Sequence, residues 1–565
     1  MGTVSLTRNC AMAICLIFGM FWSDASVAQN YQPAKPALTI NPDSYVSASN
    51  EEWGQLMWNF KLFNQPLDEF ANFDEPNESG LAANRFIDNY AAYFISAEQY
   101  HKFPAWTEAI QPVLDRVNMK LLEKFLWKYW SDESIGIPKF QPNMDQTFPA
   151  TADPVGFANI MYSGHLLFQM NLYQSLYRDM KWDKPGSVVL KWDDYTQFVY
   201  DNRKIQELIT MQFLSNPVPG VECERNAVFS ACNQFPLNGM KLYDEMHGTR
   251  YFAAVAPLYK KWFEEVFVDP QTYNIAWLYL IKQKIVFSEK TPYYGNKSDS
   301  MEKKLVKAGV DFVSAGNDGA VGTFMHAWNP ELIEKIYPAL KKKVFSVDAN
   351  GLAKLHQDVF IQDATYSYFT CLVAEMGDEP TKQLLIRTMD SIYQGVWLDG
   401  TYHYAYNENA AGLSVGSPDA AKKTGTAIKP KCCESPMKKM QAPQSDVSNQ
   451  VIGLARALPK NGMWMMVNKP FDDLHFTEPA ISGVDIKNVM MKRAIYDRTQ
   501  KALIVSTLPN KTGVETTIKV IKLNPAKTYN IFINKEFHKE VKGITEDEIK
   551  IDSKKSYDIV VVEID

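Results

Sequence analysis

The sequence predicts a mainly helical protein that ends in a small antiparallel β-sandwich. From about residue 50 to residue 470, apolar side chains recur with the 3.6-residue period of amphipathic helices. Beyond about residue 476 the period changes to two, which is typical of strands with one buried face. Aromatic residues make up 13% of the chain, and the net charge of −6 is spread along it. Such a composition indicates a folded protein with large apolar contact surfaces.

The first residues carry the pattern of a cleavable export signal. A positive charge at Arg8 precedes the apolar run Cys10–Trp22, and a polar stretch ends in Ser26–Ala28. The run of about thirteen apolar residues is shorter than the roughly twenty that span a bilayer, and no later segment has that length. We therefore expect residues 1–28 to be removed, leaving a periplasmic or secreted chain that starts near Gln29 without a membrane span.

The helical periodicity is strongest in eight runs that end at Gly, Pro or Asn. These predicted helices are Phe86–Tyr100, Val113–Trp130, Asn159–Arg178, Asp201–Leu214, Ala227–His247, Leu332–Lys343, Lys354–Met376 and Thr381–Tyr393. Antiparallel helix pairs recur along the chain without the repeat length of a common short solenoid. We expect one large domain over residues 29–475 in which helix packs on helix.

The C-terminal segment, residues 476–565, has six β-branched or aromatic runs separated by turn residues. The predicted strands are Val489–Tyr496, Ala502–Leu508, Thr516–Leu523, Tyr529–Phe537, Glu548–Ile551 and Tyr557–Ile564. Their spacing favours a small antiparallel sandwich that serves as an accessory domain. Residues 408–446, rich in Gly, Ser, Pro and Lys, are predicted to form a long surface loop.

Charge and cysteine usage limit the functional classes. Acidic and basic residues are interspersed, so nothing indicates binding of nucleic acid or of an anionic membrane surface. Five cysteines follow the predicted signal, and their odd number leaves at least one free or paired with another chain. Cys432 and Cys433 offer soft metal ligands, yet they lack histidines at useful spacing, so we expect no metal site. Whether the chain forms a homo-oligomer stays open.

The densest set of reactive side chains lies in Asn159–Tyr173 and Cys223–Thr249. Met161 and His165 are four residues apart and share one face of a predicted helix. Taken alone, His165 is most simply a core histidine with one hydrogen bond. Cys223 and Cys232 fit a structural disulfide, as expected in an oxidising compartment, as well as they fit two buried thiols.

Together the two stretches resemble the linalool dehydratase-isomerase family. The matching residues are Asn159–Tyr162, Gly164, His165, Cys223, Glu224, Cys232, Asn233, Tyr243, Asp244 and His247–Thr249. A weaker similarity follows at Glu375–Asp378. The resemblance therefore covers roughly residues 50–470 and does not reach the C-terminal β segment.

The resemblance implies an (α/α)6 barrel whose enclosed cavity holds a small apolar alcohol, with no metal or organic cofactor. Family members remove water from a tertiary allylic terpene alcohol, add it back, and shift the hydroxyl between carbons. On the matched positions, His165, Cys223 and Cys232 are the implied acid–base groups, with Glu224 beside them and Met161 lining the pocket. A thiol and an imidazole can be tuned to such proton transfers, and aromatic walls can exclude water and stabilise a cation.

Three positions depart from the family pattern. Its aspartate and, six residues later, its tyrosine fall on Leu62 and Asp68, and a further pocket tyrosine falls near Gly316. Asp68, Asn317 and Asp318 are candidate replacements, and the spacing favours none of them. The departures therefore leave open whether the substrate, or even the reaction, is the same as in the family.

The sequence predicts a hydro-lyase with possible isomerase activity on a small apolar alcohol or alkene, and two alternatives remain. An exported helical barrel with a C-terminal β-sandwich is also a layout of polysaccharide lyases and glycoside hydrolases, which require paired carboxylates in the cleft. A binding protein that keeps the pocket without the chemistry would fit the departures from the family pattern.

Overall fold

The computed structural model describes residues 35–73, 83–136, 148–287, 316–355, 362–393, 395–404, 446–510 and 513–564. The prediction of a mainly helical chain with antiparallel sheets is confirmed. The predicted export signal, Cys432, Cys433 and nearly all of the predicted surface loop lie outside these residues. Among the described helices, none combines the length and the apolar character needed to cross a bilayer.

Fifteen α-helices are described between residues 50 and 468. They are α1 Asn50–Phe63, α2 Ala83–His101, α3 Ile110–Leu121, α4 Lys124–Trp127, α5 Trp130–Glu133, α6 Ile160–Tyr177, α7 Asn202–Ser215, α8 Gln234–His247, α9 Tyr251–Val266, α10 Asp318–Met325, α11 Pro330–Val344, α12 Gln362–Glu375, α13 Glu379–Tyr393, α14 Asp446–Ala457 and α15 Gly462–Asn468.

Short strands interrupt the helices in the described part of this region. They are β1 Val188–Lys191, β2 Gln197–Tyr200, β3 Ala227–Phe229, β4 Leu278–Leu280, β5 Ile285–Phe287, β6 Phe345–Val347, β7 Ala353–Leu355, β8 Gly395–Leu398 and β9 Thr401–Tyr404. All pair antiparallel with close neighbours in sequence or, for β3, with β4. The periodicity did not predict them, because three or four residues are too few for a period of two to emerge.

Three of the predicted helices are wrong in part. The run Val113–Trp130 is divided into α3, α4 and α5, and Lys354–Met376 begins with strand β7. The run Ala227–His247 begins with β3, because Asn226 turns the chain at a φ of +73° and β4 offers a pairing partner. Pro236 lies in the first turn of α8, where its missing N–H is not needed.

Helices α6 and α8 pack at very short distance in the core. A Cβ on Gly164 would lie 2.6 Å from Cδ of Pro236, and one on Gly239 would lie 3.2 Å from the backbone of Phe168. Every residue of α6 from Tyr162 to Leu176 is buried. This close contact fixes the position of α6, which carries His165, relative to α8, which begins two residues after Cys232.

The C-terminal segment forms two antiparallel sheets, of five strands in the order β11-β12-β17-β14-β15 and of three in the order β10-β13-β16. Their bounds are β10 Ala480–Ser482, β11 Met490–Asp497, β12 Ala502–Leu508, β13 Glu515–Ile521, β14 Thr528–Ile533, β15 Glu536–Lys542, β16 Asp547–Asp552 and β17 Asp558–Glu563. The predicted strand Tyr529–Phe537 is wrong, because Asn534 and Lys535, both at positive φ, form a hairpin turn between β14 and β15.

Alternation along the strands explains how the larger sheet is covered on both faces. Leu503 and Val505 belong to the main core of the protein, whereas Ala502 and Ile504 lie in a second cluster. Leu38 and other residues before α1 pack against that second cluster. The period of two in this sequence therefore separates two buried faces.

Backbone hydrogen bonds join the β sheets to the helical part. The N–H of Ala494 in β11 donates to the carbonyl of Lys102 at 2.8 Å, and the N–H of Ala105 donates to the carbonyl of Ala494 at 3.0 Å. The Lys102 ammonium is buried and pairs with Glu52 and, at 2.9 Å, with Glu98. We refer to this contact region, where Lys102 and Ala105 meet Ala494 of β11, as the seam.

Candidate functional site

The start of α6 is fixed against the segment that carries Cys223 and Glu224. The N–H of Asn159, a residue in the left-handed conformation, donates to the carbonyl of Cys223 at 3.1 Å, and the N–H of Ile160 donates to that of Glu222 at 3.1 Å. Two N–H groups that a helix start leaves unpaired are thus satisfied by this segment. The stretches Asn159–Tyr173 and Cys223–Thr249 are therefore neighbours in space.

His165 is completely buried within α6 and has one polar contact. Its Nδ1 lies 2.5 Å from Oη of Tyr93, and its ring stacks on Phe235 with centroids 3.7 Å apart. Its Nε2 has no hydrogen-bond partner within the described residues. Burial and, second, the nearby Arg85 cation lower the pKa of His165 well below its ordinary value, so the imidazole is neutral at pH 7.

Cys223 and Cys232 are buried free thiols that hydrogen-bond to each other. The structure therefore contains two thiols and no bridge at this position. Burial raises the pKa of Cys223 well above its ordinary value, and the contacts with Cys232 and with the Glu224 carboxylate raise it further. Cys223 is consequently a thiol in the resting state and not a thiolate.

Glu224 and Arg85 complete the polar side of the cluster. The carboxyl of Glu224 is buried and hydrogen-bonds to Cys223, and burial raises its pKa against the opposing effects of that bond and of Arg85. The Arg85 guanidinium lies 4.0 Å from the ring centroid of Tyr129, whose hydroxyl donates to Oδ1 of Asn159 at 2.8 Å. Arg85 thus influences the charge of His165, Cys223 and Glu224 together.

A second carboxyl, Glu133 at the end of α5, faces the same cluster. Partial burial and then the negative charge of Glu224 raise the pKa of Glu133 to about 7, while Arg85 opposes the shift. A carboxyl that titrates near neutral pH can hold or release a proton under physiological conditions. Glu133 and Glu224 therefore share the field of one buried arginine.

The remaining residues singled out in the sequence lie at different depths. Met161 is partly buried one helical turn before His165 and packs against the main core. Leu62 is buried in the core near the end of α1, whereas Asp68 is exposed in the turn that follows. The exposure of Asp68 makes it a poor replacement for a buried acid.

Asn317 and Asp318 are buried and hold the backbone. Asp318 accepts a hydrogen bond from the N–H of Ile275 at 2.9 Å. Asn317 donates to the carbonyl of Ile275 at 3.2 Å and accepts from the hydroxyl of Ser230 at 3.2 Å. These contacts give both side chains a structural task next to β3.

The Tyr-Asp-x-x-His-Gly-Thr part of the pattern forms the corner between α8 and α9. Asp244 accepts hydrogen bonds from the Thr249 hydroxyl at 2.5 Å and from the N–H groups of Tyr251 and Phe252 at 3.0 and 2.8 Å. Gly248 ends α8 at a φ of +66°, which favours glycine. This part of the motif therefore caps two helices.

The weaker similarity at Glu375–Asp378 is also structural. The Glu375 carboxylate accepts from the N–H groups of Met463 and Trp464 at the start of α15, at 2.7 and 3.0 Å. Nδ1 of His326 lies 2.8 Å from the same carboxylate. Glu375 thus joins α10, α12 and α15.

Four residues of the cluster were missed by the sequence analysis: Arg85, Tyr93, Tyr129 and Glu133. A signal for the first was available in α2, where Arg85 and Asp88 interrupt an otherwise apolar and aromatic stretch. Charged residues on a face that must be buried indicate function or pairing. No three His, Cys, Asp or Glu side chains in the described ranges lie close enough together to hold a metal ion.

The model of the family described as linalool dehydratase/isomerase matches residues 85–296 and 290–410, more than half of the chain. Both matched segments include described parts of the helical region, and the first contains the whole cluster around Arg85.

Several solved structures are similar at low level. An inactive variant of an alpha-1,6-mannanase from Salegentibacter, in complex with alpha-1,6-mannotetrose, shares 10% identity over 72% of this chain and 98% of its own, with a TM-score of 0.38. A glycoside hydrolase family 76 mannosidase from Bacteroides thetaiotaomicron shares 10% over 72% and 96%, with a TM-score of 0.37. A beta-L-arabinofuranosidase from Geobacillus stearothermophilus shares 11% over 92% and 81%, with a TM-score of 0.30.

Proposed function

This chain belongs to the linalool dehydratase/isomerase family, and from that premise we propose that it is a hydro-lyase and isomerase acting on a small apolar allylic alcohol. The observation that carries the proposal is the buried cluster in which His165, whose Nε2 has no partner among the described residues, and Cys223, paired with Cys232, lie in the field of Arg85. Acid–base chemistry without an organic cofactor is what family membership implies for such residues.

The resting protonation states suit a dehydration. Burial keeps His165 neutral and therefore able to accept a proton, and it keeps Cys223 protonated and therefore able to donate one. Neither group starts with a charge that would demand hydration. An apolar alcohol can therefore enter without leaving a buried ion unpaired.

In the proposed dehydration, a thiol of the Cys223–Cys232 pair donates its proton to the substrate hydroxyl. The C–O bond breaks, water leaves, and an allylic cation remains beside a thiolate. Nε2 of His165 then takes a proton from the carbon next to the cation, and the electrons of that C–H bond form the new alkene. Return of the proton from the imidazolium to the thiolate restores both neutral groups.

Tyr93 supports the proposed role of His165 as the base. Nε2 can accept a proton only when the imidazole N–H is on Nδ1, and in that tautomer Nδ1–H donates to Oη of Tyr93 at 2.5 Å. The same hydrogen bond holds the imidazolium that forms during the reaction. Tyr93 is a positioning residue in this scheme.

Aromatic rings around the base suit a cationic intermediate. Phe235 stacks on His165, and Phe86 and Tyr90 approach its ring edge to face at centroid distances of 6.1 and 6.4 Å. Ring faces attract a cation and exclude the water that would capture it. In their ionised forms, the Glu224 and Glu133 carboxyls balance the Arg85 charge, which would otherwise oppose a cation.

We extend the proposal to architecture and location. The described helices belong, in this proposal, to an (α/α)6 barrel over residues 29–475, with residues 476–565 as an accessory β-sandwich. Residues 1–28 direct export to the periplasm or beyond. Met161 lines the substrate pocket one turn before His165.

Glycoside hydrolysis is the second candidate, because Glu133 and Glu224 form a pair of carboxyls with raised pKa values. The two candidates use different residues. A glycoside hydrolase needs both carboxyls and neither thiol, whereas the proposed hydro-lyase needs the thiols. Polysaccharide lyase activity and binding without catalysis are the remaining alternatives.

The test is an assay of the purified, reduced protein with terpene and short tertiary alcohols, followed by gas chromatography of alkenes and rearranged alcohols. We expect turnover that is lost in Cys223→Ala and His165→Ala. Cys371→Ala removes another buried free thiol, whose Sγ contacts the carbonyl of Val451, and serves as the matched control. Turnover that survives both substitutions would exclude the assignment. Cleavage of aryl glycosides without alcohol turnover would favour the second candidate.

A further inference from the structure

A cavity of about 190 Å³ lies at the seam, and none of the residues that line it belongs to the cluster around His165. Rings from three segments line it: Tyr177 at the end of α6, Phe476 before β10, and Tyr496 in β11. Its polar wall includes Gln111 of α3 and Lys522 after β13. The volume is below the roughly 300–1,000 Å³ of cavities for drug-sized ligands, so a fitting ligand has few heavy atoms.

The segment between α15 and β10 forms one wall and is held in place by stacking. The ring of Phe471 lies parallel to those of Tyr100 and His475, with centroids 4.8 and 3.8 Å apart. The hydroxyl of Tyr100 donates to the carbonyl of Lys469 at 2.6 Å. His475, which lines the cavity, is therefore held in place by Phe471.

The charges around the cavity leave one cation without a partner. Glu478 pairs with Arg498, and Nδ1 of His475 lies 3.4 Å from its other oxygen. Asp472 also pairs with Arg498. Lys522, at a φ of +61°, is attracted by Glu478 but forms no ion pair with any described residue.

Burial lowers the pKa values of both basic groups, His475 and Lys522. Burial, followed by the repulsion of Lys522 and Arg498, lowers the pKa of His475 to about 4, so the imidazole is neutral at pH 7. Partial burial also lowers the pKa of Lys522, although the residue as a whole is exposed. A bound anion would favour the charged form of its ammonium.

We propose that the seam cavity binds a small monocarboxylate with an aromatic or short aliphatic body, whose carboxylate pairs with Lys522 and whose body lies among Tyr177, Phe476 and Tyr496. A cation would be repelled by Lys522, whereas a carboxylate would give its ammonium an ion-pair partner, which a neutral molecule does not. The inference is independent of the proposed function, because it uses none of the residues around His165.

The experiment measures binding by isothermal titration calorimetry on the full-length protein, with benzoate and hexanoate as probes. Benzyl alcohol and hexanol are the neutral analogues of similar shape. We expect at least one carboxylate to bind with a dissociation constant below 10 mM, at least tenfold more tightly than its alcohol, since charge-assisted hydrogen bonds are among the strongest in proteins.

Variants then locate the site. Lys522→Gln removes the charge and should weaken carboxylate binding at least tenfold, and Ala480→Leu should abolish it by filling the cavity that Ala480 lines. Lys535→Gln is the matched control, because Lys535 is exposed and also at positive φ in the β domain but does not line the cavity. Absence of binding for both carboxylates, equal binding of the alcohols, or binding unchanged in Lys522→Gln would each overturn the proposal.

Discussion

Oη of Tyr93 and Nδ1 of His165 lie 2.5 Å apart between two completely buried rings. Burial raises the pKa of Tyr93 well above its ordinary value, so the phenol stays neutral and the contact is a hydrogen bond between neutral groups. A neutral imidazole carries one proton, and the partner of one nitrogen decides which nitrogen holds it. Tyr93 therefore determines what the other nitrogen, Nε2, can do.

Tyr93→Phe removes this partner and leaves Nδ1 buried without one. We expect turnover to fall about 10- to 100-fold, the range typical of residues that orient a reacting histidine. The folded protein should remain, because the ring still stacks near Phe235. Turnover and its pH profile are the measurements. Tyr162→Phe is the control, since it deletes another buried hydroxyl, one that donates to the Leu121 carbonyl; equal effects of the two would assign Tyr93 to packing alone.

The thiols of Cys223 and Cys232 should react slowly with iodoacetamide in the folded protein. Both are buried, and the raised pKa of Cys223 keeps the reactive thiolate scarce. Labelling measured by mass spectrometry at pH 7.5 should be at least 100-fold faster after denaturation. Rapid labelling of native Cys223 would show that this thiol is exposed and ionised, contrary to its proposed role as a proton donor.

Much of the helical architecture could be predicted because α2, α6 and α7 bury long apolar faces. The sequence analysis did not locate the start of α8, since Ala227–Phe229 has helical spacing but finds a strand partner in Leu278–Leu280. The local spacing of apolar residues does not reveal a strand partner that lies about 50 residues later in the chain. The same limit explains why the strand Tyr529–Phe537 was predicted as continuous across Asn534.

At the site, the sequence identified the residues that carry reactive atoms but not those that tune them. His165, Cys223 and Glu224 attract attention through their chemistry and spacing. Arg85 of α2 and Glu133 of α5 belong to the site through electrostatic interactions with it. The strength of these interactions depends on distance and burial, which the spacing of residues in the sequence does not reveal. Conversely, Asp244 looked like part of a functional motif and caps a helix.

Glu133→Gln should change how stability depends on pH. The pKa of Glu133 is about 7 in the folded protein, against an ordinary value of 4.5 for a glutamate in water. The unfolded chain therefore releases this proton first as pH rises, so Glu133 costs the folded state increasing stability from about pH 4.5 to about pH 7. We expect the variant to melt at a higher temperature than the wild type at pH 8 and at a similar temperature at pH 4.

Thermal melts of both proteins across that range measure the effect. Asp132→Asn is the control, because its side chain is exposed beside Glu133. A difference between Glu133→Gln and wild type that does not depend on pH would contradict the raised pKa.

Gly164→Ala should destabilise the protein through the contact between α6 and α8. The new Cβ would lie 2.6 Å from Cδ of Pro236, so the helices must separate. Overpacking of this kind costs about 1–3 kcal/mol. Chemical denaturation measures the free energy of unfolding. Pro236→Ala removes Cδ, so the cost of Gly164→Ala should be smaller in that background. An unchanged cost would place the strain elsewhere.

Asp244→Ala tests whether the second half of the family motif is structural. The carboxylate accepts from two N–H groups at the start of α9, and loss of such a cap costs about 0.5–2 kcal/mol. We expect a lower melting temperature together with unchanged turnover per folded molecule, because Asp244 lies at the helix corner and none of the contacts around His165 involves it. Asp244→Asn keeps one oxygen acceptor and should recover part of the stability. If turnover falls more than tenfold while the melting temperature is unchanged, Asp244 belongs to the reacting groups, and the separation between a catalytic first half of the motif and a capping second half is wrong.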